Sequence, residues 1–258
     1  MTSELRTDVS ATTVAAWVRD AAAVTILTGA GISTDSGIPD FRGPQGVWTR
    51  NPAAQQMFTF QNYVADPEVR RMAWQSRRDH PAWSATPNAG HRALVTLEHS
   101  GRLRALVTQN IDELHQRAGT SPEKVIELHG TIFETQCLSC GHRSPMQTEL
   151  RRVADGEPDP ACVQCGGIQK SATISFGQSL DQTVLTAARN AAWECDVFLA
   201  IGSSLTVHPA AGLCAEAQAA GATLVIINAE PTPYDSAADA VLRQPIGELL
   251  PFLVAGLR

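Results

Sequence analysis

Lysine is nearly missing from this 258-residue chain: Lys124 and Lys170 are the only two, and arginine supplies the remaining basic residues. Excess positive charge is missing as well. Twenty basic residues face 26 acidic ones, for a net charge of -6. A protein held on nucleic acid by bulk electrostatics is usually basic, so direct nucleic-acid binding is not expected. No window approaches the roughly 20 consecutive apolar residues of a membrane span. Residues 1–10 are acidic and lack the apolar core of a secretory signal, so no membrane is expected and the cytoplasm is the expected compartment. Six cysteines in a chain of this length do not describe a secreted disulfide scaffold. What is present is an ordinary globular mixture, 43% hydrophobic and 18% charged. It suits one large domain, or one domain carrying an insertion.

Five short, β-branched runs at residues 23–28, 103–108, 125–128, 197–201 and 222–227 alternate with helical patterns at 13–20, 88–99, 112–118, 182–193 and 209–220. Thr12 or Thr13 is the expected N-cap of the first helix. The alternation predicts an α/β fold whose Rossmann-like parallel sheet is covered on both faces. Ligands of such sheets bind at the carboxyl ends of the strands. Those ends carry Gly29-Ala30-Gly31, Gln109-Asn110, His129, Gly202-Ser203-Ser204 and Asn228, so small and polar residues collect on one edge. Residues 45–87, rich in Trp, Arg, Gln and Pro, predict a helical cap over that edge. Residues 131–175 read as a small inserted module, which leaves 1–130 and 176–258 to the sheet domain.

The inserted module carries Cys137-x-x-Cys140 and Cys162-x-x-Cys165. Each pair can place two thiolates on one metal ion, and two pairs complete a tetrahedral zinc site with no open position, so the metal is expected to be structural. Cys195 and Cys214 sit singly in apolar surroundings and read as buried filler. Gly29-Ala30-Gly31 after a strand can cradle a pyrophosphate on backbone N–H groups. It departs from the dinucleotide fingerprint because residue 34 is Thr, and no acidic residue lies between Asp40 and Asp66 to hold an adenosine ribose. Asn228 is the better candidate for the ribose hydroxyls. Phe41 and Arg42 follow a proline bend, where an arginine can meet a phosphate and a phenyl ring can shield a reactive carbon from water.

Taken together, the run GAGISTDSGIPDFRG at 29–43, TQNIDELHQRAG at 108–119, ELHG at 127–130, the four cysteines, SFG at 175–177 and GSS at 202–204 resemble the sirtuin family. The resemblance extends from about residue 22 to the C-terminus. It implies NAD+-dependent removal of acyl groups from protein lysine, on a Rossmann-like domain with a zinc-ribbon insertion. By the same resemblance His129 is the general base, with a pKa expected near the ordinary 6.5. Asn110 and Asp112 are catalytic. The implied NAD+ contacts are Gly29, Ala30, Gly31, Thr34, Phe41, Arg42, Gln109 and Ile111 around the pyrophosphate and nicotinamide. Gly202, Ser203, Ser204 and Asn228 serve the adenosine half. Ile174, Phe176 and Gly177 would receive the acyl-lysine chain, with the peptide adding as a strand. Gln178 stands where the family usually has Glu, and Lys170-Ser171 where it has Arg-Pro. Sirtuins that prefer acidic acyl groups share a Tyr and an Arg three residues apart in the cap. Trp74 and Arg77 have that spacing without the Tyr, and Arg77 is expected on a solvated helix face. Deacetylation is therefore expected first. A desuccinylase or a mono-ADP-ribosyltransferase on the same scaffold are the alternatives, and a non-enzymatic zinc-ribbon binding module is disfavoured by the acidic total.

Overall fold

Residues 24–28 of β1 (Val24–Thr28) are all buried, as a strand covered on both faces must be. The structure, a computed structural model, describes residues 9–44, 46–51 and 59–257. In chain order the strands are β1, β2 (Leu103–Thr108), β3 (Val125–Glu127), β4 (Gly130–Cys137), β5 (Arg143–Pro145), β6 (Gln169–Thr173), β7 (Val197–Ile201), β8 (Thr223–Ile227) and β9 (Ala240–Leu242). Six of them form a parallel sheet in the order β3-β2-β1-β7-β8-β9. The chain builds outward in one direction from β1 and later in the other from β7. The boundary between β1 and β7 is therefore the topological switch point, where ligands of such sheets bind.

Alternation along the strands feeds two cores. Val24, Ile26, Val197, Leu199, Ile201, Val225 and Ile227 point to one side. There they meet α1 (Ala11–Asp20), α5 (Ala89–His99) and α10 (Ile246–Leu253). Leu27, Phe198, Ala200, Leu224 and Ile226 point to the other, against α8 (Gln182–Trp193) and α9 (Gly212–Ala219). Helix starts are set by side-chain caps. Ser10, not Thr12 or Thr13, caps α1 by accepting the Thr13 N–H at 3.2 Å. Asp181 caps α8 and accepts the Thr183 N–H at 2.7 Å. Residues 209–211 form turns rather than helix, so α9 begins at Gly212.

The cap comprises α2 (Val47–Arg50), α3 (Phe60–Ala65), α4 (Pro67–Arg78) and a short 3₁₀ turn at Pro81–Trp83. The remaining residues of the expected helical region, 45 and 52–58, lie outside the described residues, as do 1–8 of the N-terminal segment. The inserted module is a three-stranded antiparallel sheet, β5-β4-β6, with α7 (Met146–Ala154). Trp74 of α4 packs on Met146 and Leu150 of α7, which ties the cap to the module. No helix among the described residues is long and apolar enough to cross a membrane.

Candidate functional site

At the switch point the ends of β1 and β7 approach closely. A Cβ on Gly29 would lie 2.7 Å from the Gly202 carbonyl oxygen, and one on Gly31 would lie 2.7 Å from Gly202 Cα. The Gly29 and Gly31 N–H groups donate to the carbonyls of Ile201 and Gly202, at 2.9 and 2.8 Å. These two glycines thus close the floor of the cleft by tight packing, and their N–H groups are not free to cradle a phosphate. Gly202 itself has φ 61°, a left-handed backbone suited to glycine. A 3₁₀ turn, Ala30–Ser36, follows β1 and carries Ala30 and the exposed Thr34 on the cleft edge.

A buried polar cluster grows from this floor. Asn110 at the end of β2 donates through Nδ2 to the Gly29 carbonyl at 3.1 Å and to Ser33 Oγ at 3.2 Å. Ser33 in turn donates to Asp112 Oδ2 at 2.7 Å. Asp112 Oδ1 accepts the Leu114 N–H at 3.0 Å, and Glu113 takes φ 54°, so α6 (Leu114–Ala118) starts at 114 rather than 112. Burial pushes the Asp112 carboxyl above the ordinary range, while the Leu114 N–H and Ser33 hydroxyl pull it back. Ser33 was not singled out from the sequence. Its position inside the polar 29–43 run, five residues after the end of β1, was the available signal.

His129 follows β3, with Leu128 N–H bonded to Thr108 O. Its Nδ1 lies 2.9 Å from the Gln109 carbonyl, which can only accept, so the ring proton sits on Nδ1 and Nε2 keeps a lone pair. Burial lowers the His129 pKa below 6.5, opposed by the Gln109 bond; the expectation of an unperturbed value is corrected. Gln109 also donates its side-chain Nε2–H to Ser203 Oγ at 2.9 Å, which joins the β2 and β7 ends. Ser204 Oγ bonds Thr206 Oγ1 at 2.9 Å. Asn228 closes β8, its Nδ2 donating to the Glu230 carbonyl at 2.7 Å. Ile111 accepts the Ile132 N–H at 3.0 Å, and Ile174 donates its N–H to the His129 carbonyl at 2.9 Å. Base candidate and apolar wall are therefore coupled through backbone.

An aromatic row joins the 29–43 run to the cap and to the strand end after β6. Trp48 stands between Phe41, at 5.0 Å, and Phe176, at 5.2 Å, with the Arg42 guanidinium 4.4 Å from its ring centre. Trp48 was missed because nothing in its local pattern separates it from cap filler. The Phe176 carbonyl accepts the Phe60 N–H at 2.9 Å, so this rim is already held by the cap. Gly177, at φ 84°, has open space around it. Gln178 closes the following turn, its Oε1 accepting the Ser175 N–H at 3.2 Å.

The four module cysteines converge, with all sulfurs within 4.8 Å of one another. Cys137 and Cys165 sulfurs are 3.5 Å apart, and those of Cys140 and Cys162 are 3.7 Å apart. A tetrahedral zinc with Zn–S of about 2.3 Å requires sulfurs separated by about 3.8 Å, so the donor set fits the ion. Gly141 and Gly166 turn back after each pair at φ 74° and 72°. Cys195 and Cys214 are buried elsewhere, as expected of filler.

Arg77 is not on a solvated face. Its guanidinium lies 5.3 Å from the Tyr63 ring centre and 5.5 Å from that of Trp74, and its Nη1 is closed off from solvent. Its burial beside the Tyr63 ring of α3 is something the sequence pattern of α4 alone cannot show. Lys170, 2% exposed, lies nearby and donates Nζ to the Ser171 carbonyl at 3.0 Å and to that of Thr173. Burial, with Arg77 adding, brings its pKa down to about 7.

Buried histidines make the fold acid-sensitive. Burial lowers His91 to about 4 and His115 well below 6.5, so both are neutral in the native state. The unfolded chain takes up these protons below about pH 6.5, so their stabilisation is fully present above 6.5 and is lost as pH falls toward 4. At pH 5 the loss from His91 is about 2 kcal/mol. Urea melts at pH 7.5 and pH 5 should show it, and His91→Phe should shrink the difference by about 2 kcal/mol, leaving the share of His115. Equal slopes for the two proteins would contradict this reading.

The match to known proteins agrees with this geometry. Residues 29–209 match the Sir2 family. An NAD-dependent protein deacetylase 2 of Streptomyces coelicolor is 53% identical over 234 residues, spanning 91% of this chain and 97% of the relative. A Sir2 structure with a deacetylated peptide and 3′-O-acetyl ADP ribose superposes at TM-score 0.88 and 32% identity, over 97% of this chain and all of the other. Sir2 bound to an acetylated peptide superposes at 0.83, with 32% identity, over 95% and 97%. This chain belongs to the Sir2 family.

Proposed function

We propose that the chain is an NAD+-dependent protein-lysine deacetylase, yielding lysine, nicotinamide and O-acetyl-ADP-ribose. The observation that carries the reading is that the Gln109 carbonyl, which leaves His129 Nε2 with its lone pair, directly precedes Asn110, and Asn110 joins Ser33 and Asp112 in one buried cluster at the carboxyl ends of β1 and β2. His129 takes the proton of a ribose hydroxyl. Asn110 and Asp112 hold the nicotinamide end, where a nearby carboxylate favours positive charge developing on the ribose carbon. Ala30, Thr34, Phe41, Arg42, Gln109 and Ile111 line the pyrophosphate and nicotinamide side, over the floor formed by Gly29 and Gly31. Gly202, Ser203, Ser204 and Asn228 take the adenosine half. Ile174, Phe176 and Gly177 receive the acyl-lysine chain. An extended peptide pairs by its backbone there, which gives affinity with little sequence demand.

In this reading residues 1–130 and 176–258 form the NAD-binding domain, 45–87 its helical cap and 131–175 the zinc module. In the same reading the protein works in the cytoplasm, and its net charge of -6 argues against direct nucleic-acid binding. The test is NAD+ with acetyl, propionyl and succinyl versions of one peptide. Acetyl-lysine should turn over fastest. A succinyl rate markedly above the acetyl rate would reverse the ranking and assign the Arg77 side of the cap to an acidic acyl group.

A further inference from the structure

Behind the cleft, between α5 and α6, two imidazoles are buried with their rings 4.9 Å apart and tilted by 58°. His91 is 0% exposed and His115 1%. Their proton positions follow from their partners. His91 Nδ1 accepts the Asn88 N–H at 3.3 Å within a capping box, so its proton is on Nε2. Thr28 donates its single hydroxyl hydrogen to Thr108 Oγ1 at 2.8 Å. At its 3.0 Å contact with His115 Nε2, Thr28 can therefore only accept, so His115 carries its proton on Nε2 and a lone pair on Nδ1. The two remaining nitrogens are complementary: a donor on His91 Nε2 and an acceptor on His115 Nδ1. Both are closed off from solvent, and neither makes a hydrogen bond among the described residues. One water within reach of both would satisfy them.

The other end of this chain of bonds reaches the site. Thr108 Oγ1, which receives the Thr28 hydrogen, also accepts the Asn110 N–H at 3.1 Å. We propose that His115, backed by His91, is a positioning residue for Asn110: its Nε2–H fixes the Thr28 hydroxyl, which fixes the Thr108 oxygen that receives the Asn110 backbone. Neither imidazole is placed against substrate, so both act only through Asn110. The inference rests on the assignment of Asn110 to the dinucleotide site, and its first test does not depend on that assignment.

The first test is the ¹⁵N NMR spectrum of histidine-labelled protein without ligand at neutral pH. Both His91 and His115 should be neutral and protonated on Nε2; a His115 protonated on Nδ1 overturns the relay. The second is kinetic. Thr28→Val, which keeps shape and removes the hydroxyl, and His115→Leu should each lower kcat about tenfold, the equivalent of about 1.4 kcal/mol. The peptide KM should stay within about twofold. His115→Gln, whose amide N–H can replace the Nε2 donor, should recover most of the rate. The double variant should be no slower than the slower single variant, because both break one chain. If His115→Leu does not fold, Thr28→Val carries the kinetic test alone. Wild-type kcat in Thr28→Val, or loss in His115→Gln equal to that in His115→Leu, overturns the proposal. A wild-type protein inactive on every acyl peptide, with the predicted tautomers present, would instead count against the deacetylase reading.

Discussion

Replacing His129 by alanine is expected to lower kcat for deacetylation by about 10²–10⁴, the usual worth of a positioned general base. The fold should survive, because the half-buried ring makes one hydrogen bond, Nδ1–H to the Gln109 carbonyl, worth about 1 kcal/mol. That same bond leaves Nε2 as the basic nitrogen. The base must be neutral to act, and burial holds its pKa below 6.5. The acid limb of kcat/KM should therefore fall below pH 6.5, with activity lost as pH drops through that lowered value, and His129→Ala should abolish the limb. An alanine variant with near-wild-type turnover, confirmed folded by circular dichroism, would remove His129 from the chemistry.

Loss of the metal is expected to have the largest structural effect. A structural Cys₄ zinc site contributes about 10–16 kcal/mol in small peptides, comparable to a domain's whole stability of about 5–15 kcal/mol. The module it closes is small: three short strands and α7. Removing zinc, or making Cys162→Ser, should unfold that module. The loss should spread to the cap, because Trp74 rests on Met146 and Leu150. The six-stranded sheet has its own two cores and should hold. Hydrogen exchange should show protection lost in β4, β5, β6, α7 and α4 but kept in β1, β7 and β8. Unchanged protection in the module after verified zinc loss would show that the thiolates are not its support.

The parts of this molecule that could be read in advance are those whose causes are local. β1 and β7 are short, β-branched or apolar runs buried at every residue because both their faces are covered, and the small and polar tails that follow them gather on one edge of the sheet. The cysteine pairs announce themselves by spacing. β9 escaped notice because three residues on a sheet edge carry no period. Ser33 and Trp48 escaped for another reason: their roles are set by partners far along the chain. Ser33 meets Asp112 and Trp48 meets Phe176, while the burial of Arg77 beside the Tyr63 ring of α3 is not visible in the pattern of α4 alone. The depressed pKa of His129 likewise depends on burial that no local pattern reports. The Gly29 and Gly31 N–H groups show the converse, since a suggestive motif turned out to spend its donors on Ile201 and Gly202.

The most direct measurement is the product balance by mass spectrometry after turnover of one acetyl-lysine peptide with NAD+. The account predicts free-lysine peptide, nicotinamide and O-acetyl-ADP-ribose in equal amounts, with none formed without NAD+. ADP-ribose attached to protein or peptide, or free acetate released without nicotinamide, would contradict it.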